Sequence, residues 1–256
     1  MNIALVADSH LSDRAPESVA NWHAAARSVA ALEPDLTIHL GDITLDGENR
    51  PDEIPFAAEH IRSWPTPMRC VFGNHDMGTG SGEEPLSATA LQQCIASIGP
   101  DHWHMSVRGW TLLGLNAQLL GSGTAEEMLQ HAWLQAIASH LTSEDRVALF
   151  LHRPVRRPQH DTGMPIGRYV PDQASRWLLE GPLRRSLHVV LSGHTHQALD
   201  FVAAGVRHIW VPSASFVIAD ALQERVGQKT VGLGWLSLSP GALGYFQVTP
   251  PRIAHA

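Results

Sequence analysis

Five short stretches of this chain end in residues that can bind a metal or move a proton. They are Asp8-Ser9-His10, Gly41-Asp42, Gly73-Asn74-His75-Asp76, His152, and Gly193-His194-Thr195-His196. Together they supply two carboxylates (Asp8, Asp42), four imidazoles (His10, His152, His194, His196) and one amide oxygen (Asn74). That is too many donors for one ion and divides well between two. A shell mixing imidazole with carboxylate suits divalent transition ions such as Mn, Fe, Zn or Co, whereas Ca and Mg favour oxygen alone. Two such ions about 3.5–4 Å apart can clamp the attacking and leaving oxygens of an in-line displacement. Two divalent charges, less two carboxylates and one bridging hydroxide, leave about +1 at the centre, which attracts a phosphate ester. His75 is left over as a group that moves protons near neutral pH, with Asp76 beside it to orient the ring. Gly73 is expected to let the backbone turn sharply.

Singly, these stretches are ordinary. Gly, Asn and Asp are turn residues in any protein, and a lone histidine after a strand is more often structural. What singles them out is that each follows an apolar run: 3–7, 36–40, 68–72, 147–151 and 188–191. Short continuous apolar runs read as strands buried on both faces. In open α/β sheets, sites form outside the carboxyl ends of the strands, so residues from position 8 to position 196 can converge.

The segments between the strands carry helical spacing. Residues 16–32 open on Pro16 and place Val19, Trp22, Ala26 and Val29 on one stripe. Further helices are expected near 56–64, over 86–98, over 125–141 and over 172–180. In 125–141 the expected buried face is Leu129, Ala132, Trp133, Ala136 and Ile137. Residues 102–107 and 110–116 flank Arg108-Gly109 as a hairpin. Residues 153–171 read as a long surface loop, a kind usually functional in a compact domain. Four strand-like runs follow at 199–203, 206–211, 231–238 and 243–248, and 250–256 read as a frayed end. With no internal repeat, low-complexity tract or linker, 1–256 is expected to be a single domain.

Composition narrows the classes. An apolar share of 44% supports a sizeable core. A net charge of −7 excludes an extended nucleic-acid surface, which needs a basic face. Sixteen histidines are a high count. The two cysteines, Cys70 and Cys94, form no CxxC pair and read as buried apolar residues rather than a disulfide or a thiolate zinc site. No basic leader with an apolar stretch is visible, nor an uncharged apolar run near the ~20 residues that span a bilayer. The expectation is a cytoplasmic protein without a membrane partner.

The ordered series resembles the calcineurin-like metallophosphoesterase superfamily, whose motifs run D-x-H, G-D, G-N-H-D/E, H and G-H-x-H. The resemblance implies an α/β fold, a four-layer αββα sandwich of two mixed β-sheets flanked by helices. It implies one metal held by Asp8, His10, Asp42 and His196, and a second held by Asp42, Asn74, His152 and His194, with Asp42 bridging. It implies His75 as proton donor to the leaving alkoxide, and a small phosphate ester as substrate. The protein Ser/Thr phosphatases read G-D-x-V-D-R-G, but here the chain reads Gly41-Asp42-Ile43-Thr44-Leu45-Asp46-Gly47, without the arginine. Purple acid phosphatases place a tyrosine where Leu45 stands, and the only tyrosines are Tyr169 and Tyr245. What remains is similar to compact bacterial phosphodiesterases of cyclic nucleotides or glycerophosphodiesters, using attack by a metal-bridging hydroxide. A phosphomonoesterase is the rival. A non-catalytic scaffold fits less well, since every ligand position and His75 are present. Arg153, next to His152, could touch a phosphate oxygen, and 153–168 with 116–124 could wall the pocket. Trp22, Trp133 and Trp177 read as core, and His23, His60, His131 and His140 as surface.

Overall fold

Along the first strand, Ile3, Leu5 and Ala7 face one apolar core while Ala4 and Val6 face another. A strand apolar on both sides must lie between two layers, and the architecture follows from this. The computed structural model describes residues 1–79, 86–161 and 167–251. In chain order its elements are β1 (Asn2–Val6), α1 (Pro16–Leu32), β2 (Leu36–Leu40), α2 (Glu53–Arg62), β3 (Met68–Val71), α3 (Asn74–Met77), α4 (Ala88–Ser97), β4 (Trp103–Val107) and β5 (Trp110–Gly114). There follow α5 (Ala125–Ala138), β6 (Arg146–Phe150), α6 (Asp172–Glu180), β7 (Leu187–Ser192), β8 (Leu199–Ala203), β9 (Val206–Trp210), β10 (Leu233–Ser239) and β11 (Ala242–Val248).

Two mixed sheets result, ordered β11-β10-β1-β2-β3 and β4-β5-β6-β7-β9-β8. β1, β2 and β3 are parallel, as are β5, β6, β7 and β9, and antiparallel strands complete the edges. The sheets share one core, in which Ile3, Leu5, Ile38 and Leu40 meet Leu112, Phe150, Val189 and Leu191. Trp22, Val29, Ile54, Ala57 and Leu91 bring α1, α2 and α4 to the outer face of the first sheet. Leu134, Ala174 and Leu178 bring α5 and α6 to the outer face of the second. Each of the larger aliphatic side chains among them contributes about 1.5–3 kcal/mol on burial, and each alanine less. The expected four-layer sandwich is the one found.

Three local differences have physical reasons. α2 begins at Glu53, ahead of the expected 56, because Pro55 sits in its first turn, where a missing N–H costs nothing. Gly73-Asn74-His75-Asp76 is not a plain turn but enters a one-turn helix, α3. The buried face of α5 is Glu127, Gln130 and Leu134, whereas Leu129 is 69% exposed. Glu127 accepts the N–H groups of Gly121 and Gly123, and Gln130 pairs with both backbone groups of Asn116. That helix is turned so that polar side chains tie down the loop before it. The hairpin is as expected: β4 and β5 pair across Arg108 and Gly109, both at positive φ. Both cysteines are free and buried. Residues 252–256 lie outside the described residues. Among the described residues, no helix is long and apolar enough to cross a membrane.

Candidate metal centre

The carboxyl ends of β1, β2, β3, β6 and β7 open on one place. Backbone bonds lock the exits together: Asp8 N–H donates to the Gly41 carbonyl (3.0 Å), His10 N–H to that of Asp42 (3.0 Å) and Gly193 N–H to that of His152 (3.0 Å). Leaving five strands within so small a space bends the chain hard. Among the described residues eight non-glycines have positive φ, and five of them are Asp8, His10, Asp42, His194 and His196. Such conformations cost on the order of 1–3 kcal/mol each and cluster at functional sites. Gly73 is required for another reason than a turn. Its φ is −107°, but a Cβ there would lie 2.1 Å from Asp42 Oδ1. Beneath the exits, buried His39 links Ser9 Oγ (2.9 Å) to the Gly41 N–H (3.2 Å), and burial holds its pKa down at about 3. This neutral brace was not read from the sequence.

Six of the seven donors fall into two adjacent groups, and Asn74 joins the second through His152. Asp8, His10 and His196 offer ligand atoms all within 4.8 Å of one another, as do Asp42, His152 and His194. His10 Nε2 lies 3.0 Å from His196 Nε2 and 4.0 Å from Asp42 Oδ2. His152 Nε2 lies 3.2 Å from Asp42 Oδ2, 3.2 Å from Asn74 Oδ1 and 3.0 Å from His194 Nδ1. Asp42 Oδ2 therefore faces both groups. A third trio, His10, Asp42 and His75, overlaps them.

Backbone carbonyls set the tautomers. His152 Nδ1 faces Leu40 O (2.8 Å), His194 Nε2 faces Gly167 O (3.1 Å) and His196 Nδ1 faces Phe216 O (2.9 Å). With the proton on the carbonyl side, each opposite nitrogen turns a lone pair to the middle. His152 Nε2 then meets a carboxylate oxygen, an amide oxygen and another imidazole nitrogen, all acceptors. A set of acceptors facing one another calls for a cation between them. Without metal, a proton takes that place: burial pushes His152 down, yet Asp42 and Asp8 outweigh it and hold its pKa at about 9. Burial pushes the imidazoles of His10, His194 and His196 down, to about 4 for His196, keeping them in the neutral form a metal binds. Burial raises Asp8 to about 8, whereas His152 and His75 overcome burial at Asp42 and hold it well below the usual carboxylate range. The donor set fits divalent ions.

Two neighbours differ from expectation. Asp76 does not orient the His75 ring. Its carboxylate accepts the N–H groups of Ile43 (2.9 Å), Thr44 (2.8 Å) and Gly73 (2.8 Å), so it pins the β2 and β3 exits together. The ring is held by Leu45 O, 2.7 Å from Nδ1. Burial pushes His75 down, but Asp42, the Leu45 carbonyl and Asp76 leave its pKa above the ordinary value. Arg153 is buried and donates to Tyr169 O, and Arg168 is the arginine that lines the cleft. Accordingly 153–155 are interior rather than surface loop, and 162–166 lie outside the described residues.

The cleft over the donors has a volume of about 450 Å³. Asp42, Asn74, His75, His194 and His196 form its floor, and Arg168, Ile218, Leu222 and Glu224 stand on its walls. Segment 116–124 is absent from these walls, being fastened to α5. The wall at 216–227 went unread in the sequence because its residues have no period or motif. It is anchored by buried Gln197, which donates to Gln223 Oε1 and Glu224 O and accepts the N–H groups of Val226 and Gly227. Phe216 lies against the rings of His10 and His196, at centroid distances of 5.0 and 4.7 Å.

Comparison with known proteins gives a consistent picture. The profile of the calcineurin-like phosphoesterase family matches residues 1–198. A probable cyclic nucleotide phosphodiesterase of Psychrobacter arcticus is 24% identical over 264 residues, covering 93% of this chain and 90% of that protein. Among solved structures, a dimetal phosphatase from Danio rerio superposes with a TM-score of 0.69 at 16% identity, covering 98% of this chain and 97% of that one. GAP50, the anchor in the inner membrane complex of Plasmodium, superposes at 0.67 with 13% identity, covering 99% and 86%.

Proposed function

The chain belongs to the calcineurin-like phosphoesterase family, and from that premise we propose that it is a two-metal phosphodiesterase acting on cyclic nucleotides or other small phosphodiesters. The observation that carries the reading is the pair of adjacent donor groups with Asp42 Oδ2 facing both, 4.0 Å from His10 Nε2 and 3.2 Å from His152 Nε2. We assign Asp8, His10, Asp42 and His196 to one ion and Asp42, Asn74, His152 and His194 to the other. Divalent transition ions held there would neutralise phosphoryl oxygens and lower the pKa of the attacking water.

The chain's own residues do the rest. His75, on the cleft floor with Nδ1 tied to Leu45 O, has Nε2 left to give a proton to the leaving oxygen. Arg168 stands on the cleft wall within range of a non-reacting phosphoryl oxygen once it turns from Asp161, while Ile218 and Leu222, the latter 83% exposed, receive an organic group. The charge of these walls supports a diester. Arg168 is paired with Asp161 (3.1 Å) and lies 3.9 Å from Glu224, so it adds little positive charge for a dianion. A monoester reading has Arg168 in its favour only if that side chain leaves Asp161.

The test compares bis-nitrophenyl phosphate, a cyclic nucleotide and a glycerophosphodiester with nitrophenyl phosphate under one metal loading. The expected result is a higher kcat/KM on at least one diester. A kcat/KM about tenfold higher for the monoester than for every diester, a difference of about 1.4 kcal/mol, decides for the rival.

A further inference from the structure

A second and larger cavity, about 750 Å³, lies between the chain that leaves His152, the start of α6 and the edge strand β8. It shares no lining residue with the cleft over the metal centre. Three arginines line it, Arg156, Arg157 and Arg176, against one carboxylate, Asp172. In a chain of net charge −7 such a concentration is a local field of opposite sign. Arg157 is paired with Asp161, but among the described residues neither Arg156 nor Arg176 has a carboxylate partner. α6 opens onto the same cavity, with no side-chain cap on its first turn. Uncapped N–H groups and guanidinium forks are both donors for phosphate oxygens. Phe201 and Val202 of β8 add an apolar wall. The volume is that of a small-ligand site.

We propose that this cavity binds a small organic polyphosphate of nucleotide size, and that its occupancy is felt in the metal-centre cleft through Asp161. The connection is short. The Asp161 carboxylate takes Arg157 of the cavity on Oδ1 (3.4 Å) and Arg168 of the cleft on Oδ2 (3.1 Å), with the Tyr169 hydroxyl also on Oδ2. A polyphosphate that draws Arg157 toward itself leaves Asp161 more negative charge to spend on Arg168. Arg168 is then held more firmly back from the substrate. A concave site favours a small ligand over a nucleic-acid backbone, which needs an extended basic face.

The binding half of this proposal does not depend on the reaction assigned above. Adenosine 5′-(β,γ-methylene)triphosphate is titrated calorimetrically, with excess divalent ion, into wild type, Asp42→Ala and the double variant Arg156→Ala/Arg176→Ala. Wild type and Asp42→Ala should bind alike, and the double variant at least tenfold more weakly, with unchanged kcat/KM when no nucleotide is added. In the wild type alone the nucleotide should lower kcat/KM for bis-nitrophenyl phosphate and leave a residual rate at saturation. Binding lost in Asp42→Ala and kept in the double variant, or inhibition to zero, would place the nucleotide at the metal centre and overturn the proposal. So would no binding at millimolar concentration, or binding with no effect on rate. Circular dichroism of the double variant separates lost binding from lost folding. If the effect on rate is present but monoesters are the better substrates, the site stands and only the diester reading falls.

Discussion

The rim of strand ends and the wall at 216–227 meet over the same cleft but are built in opposite ways. On the rim, most side chains are buried, backbones are strained and nearly every ring is fixed by a carbonyl. On the wall, the backbone is held by a few side chains, Gln197 foremost with His160, Lys229 and His196, and Phe216, Val217 and Leu222 stand exposed. Placement of reacting groups tolerates little movement, so the rim is over-determined. Recognition of an organic group is a matter of apolar contact, which a loosely held segment can supply. On the proposed function, the contrast separates the groups that would do the chemistry from those that would choose the substrate.

Substitutions can break that division. The largest effect is expected at Asp42, which faces both donor groups. Asp42→Ala should cost about 10⁴-fold or more in kcat, because the two-ion clamp supplies several kcal/mol. His75→Ala should keep the metals and lose about 10²–10⁴-fold on esters with poor leaving groups. On nitrophenyl esters, whose leaving group departs without a proton, the loss should be much smaller, and equal losses would remove His75 from the acid role. Gln197→Leu should release the wall, raising KM several-fold with kcat and metal content kept. A fall in metal content would show that rim and wall are one unit.

The smallest effect is one of pH on the metal-free protein. Asp8 at about 8 and His152 at about 9 both lie above their ordinary values. Their stabilisation is present at low pH and is lost as pH rises through those values. The lowered histidines, His10, His194 and His196, act oppositely, losing stability as pH falls below about 6.5. Metal-free Tm should therefore fall from pH 6.5 to pH 9, while the rise in Tm on adding metal grows, since binding displaces protons. A metal-free Tm that climbs over that range contradicts the buried charge balance described for the rim.

The rim was legible because its residue types are rare together and each follows an apolar run of strand length. The two sheets were legible for the same reason: the continuous apolar runs 3–7 and 147–151 mark strands buried on both faces. The α5 face was misread because hydrophobic spacing is blind to Glu127 and Gln130, which are buried by their bonds to backbone. Asp76 was misread because adjacency in sequence suggested a partner, whereas the one-turn helix points its carboxylate under the chain. The wall and its anchor Gln197 left no trace, since a polar residue holding a loop has no periodic signal. His39 was hidden inside an apolar strand, where a neutral brace looks like filler.

Metal stoichiometry tests the central claim most directly. Purified wild type and Asp42→Ala, each reconstituted with manganese and freed of excess, are measured by elemental analysis against protein concentration. The account predicts close to two equivalents per chain in the wild type and well under one in Asp42→Ala, because both proposed ligand sets include that carboxylate. Nearly two equivalents retained in Asp42→Ala, or a wild type that binds a single ion, would contradict it.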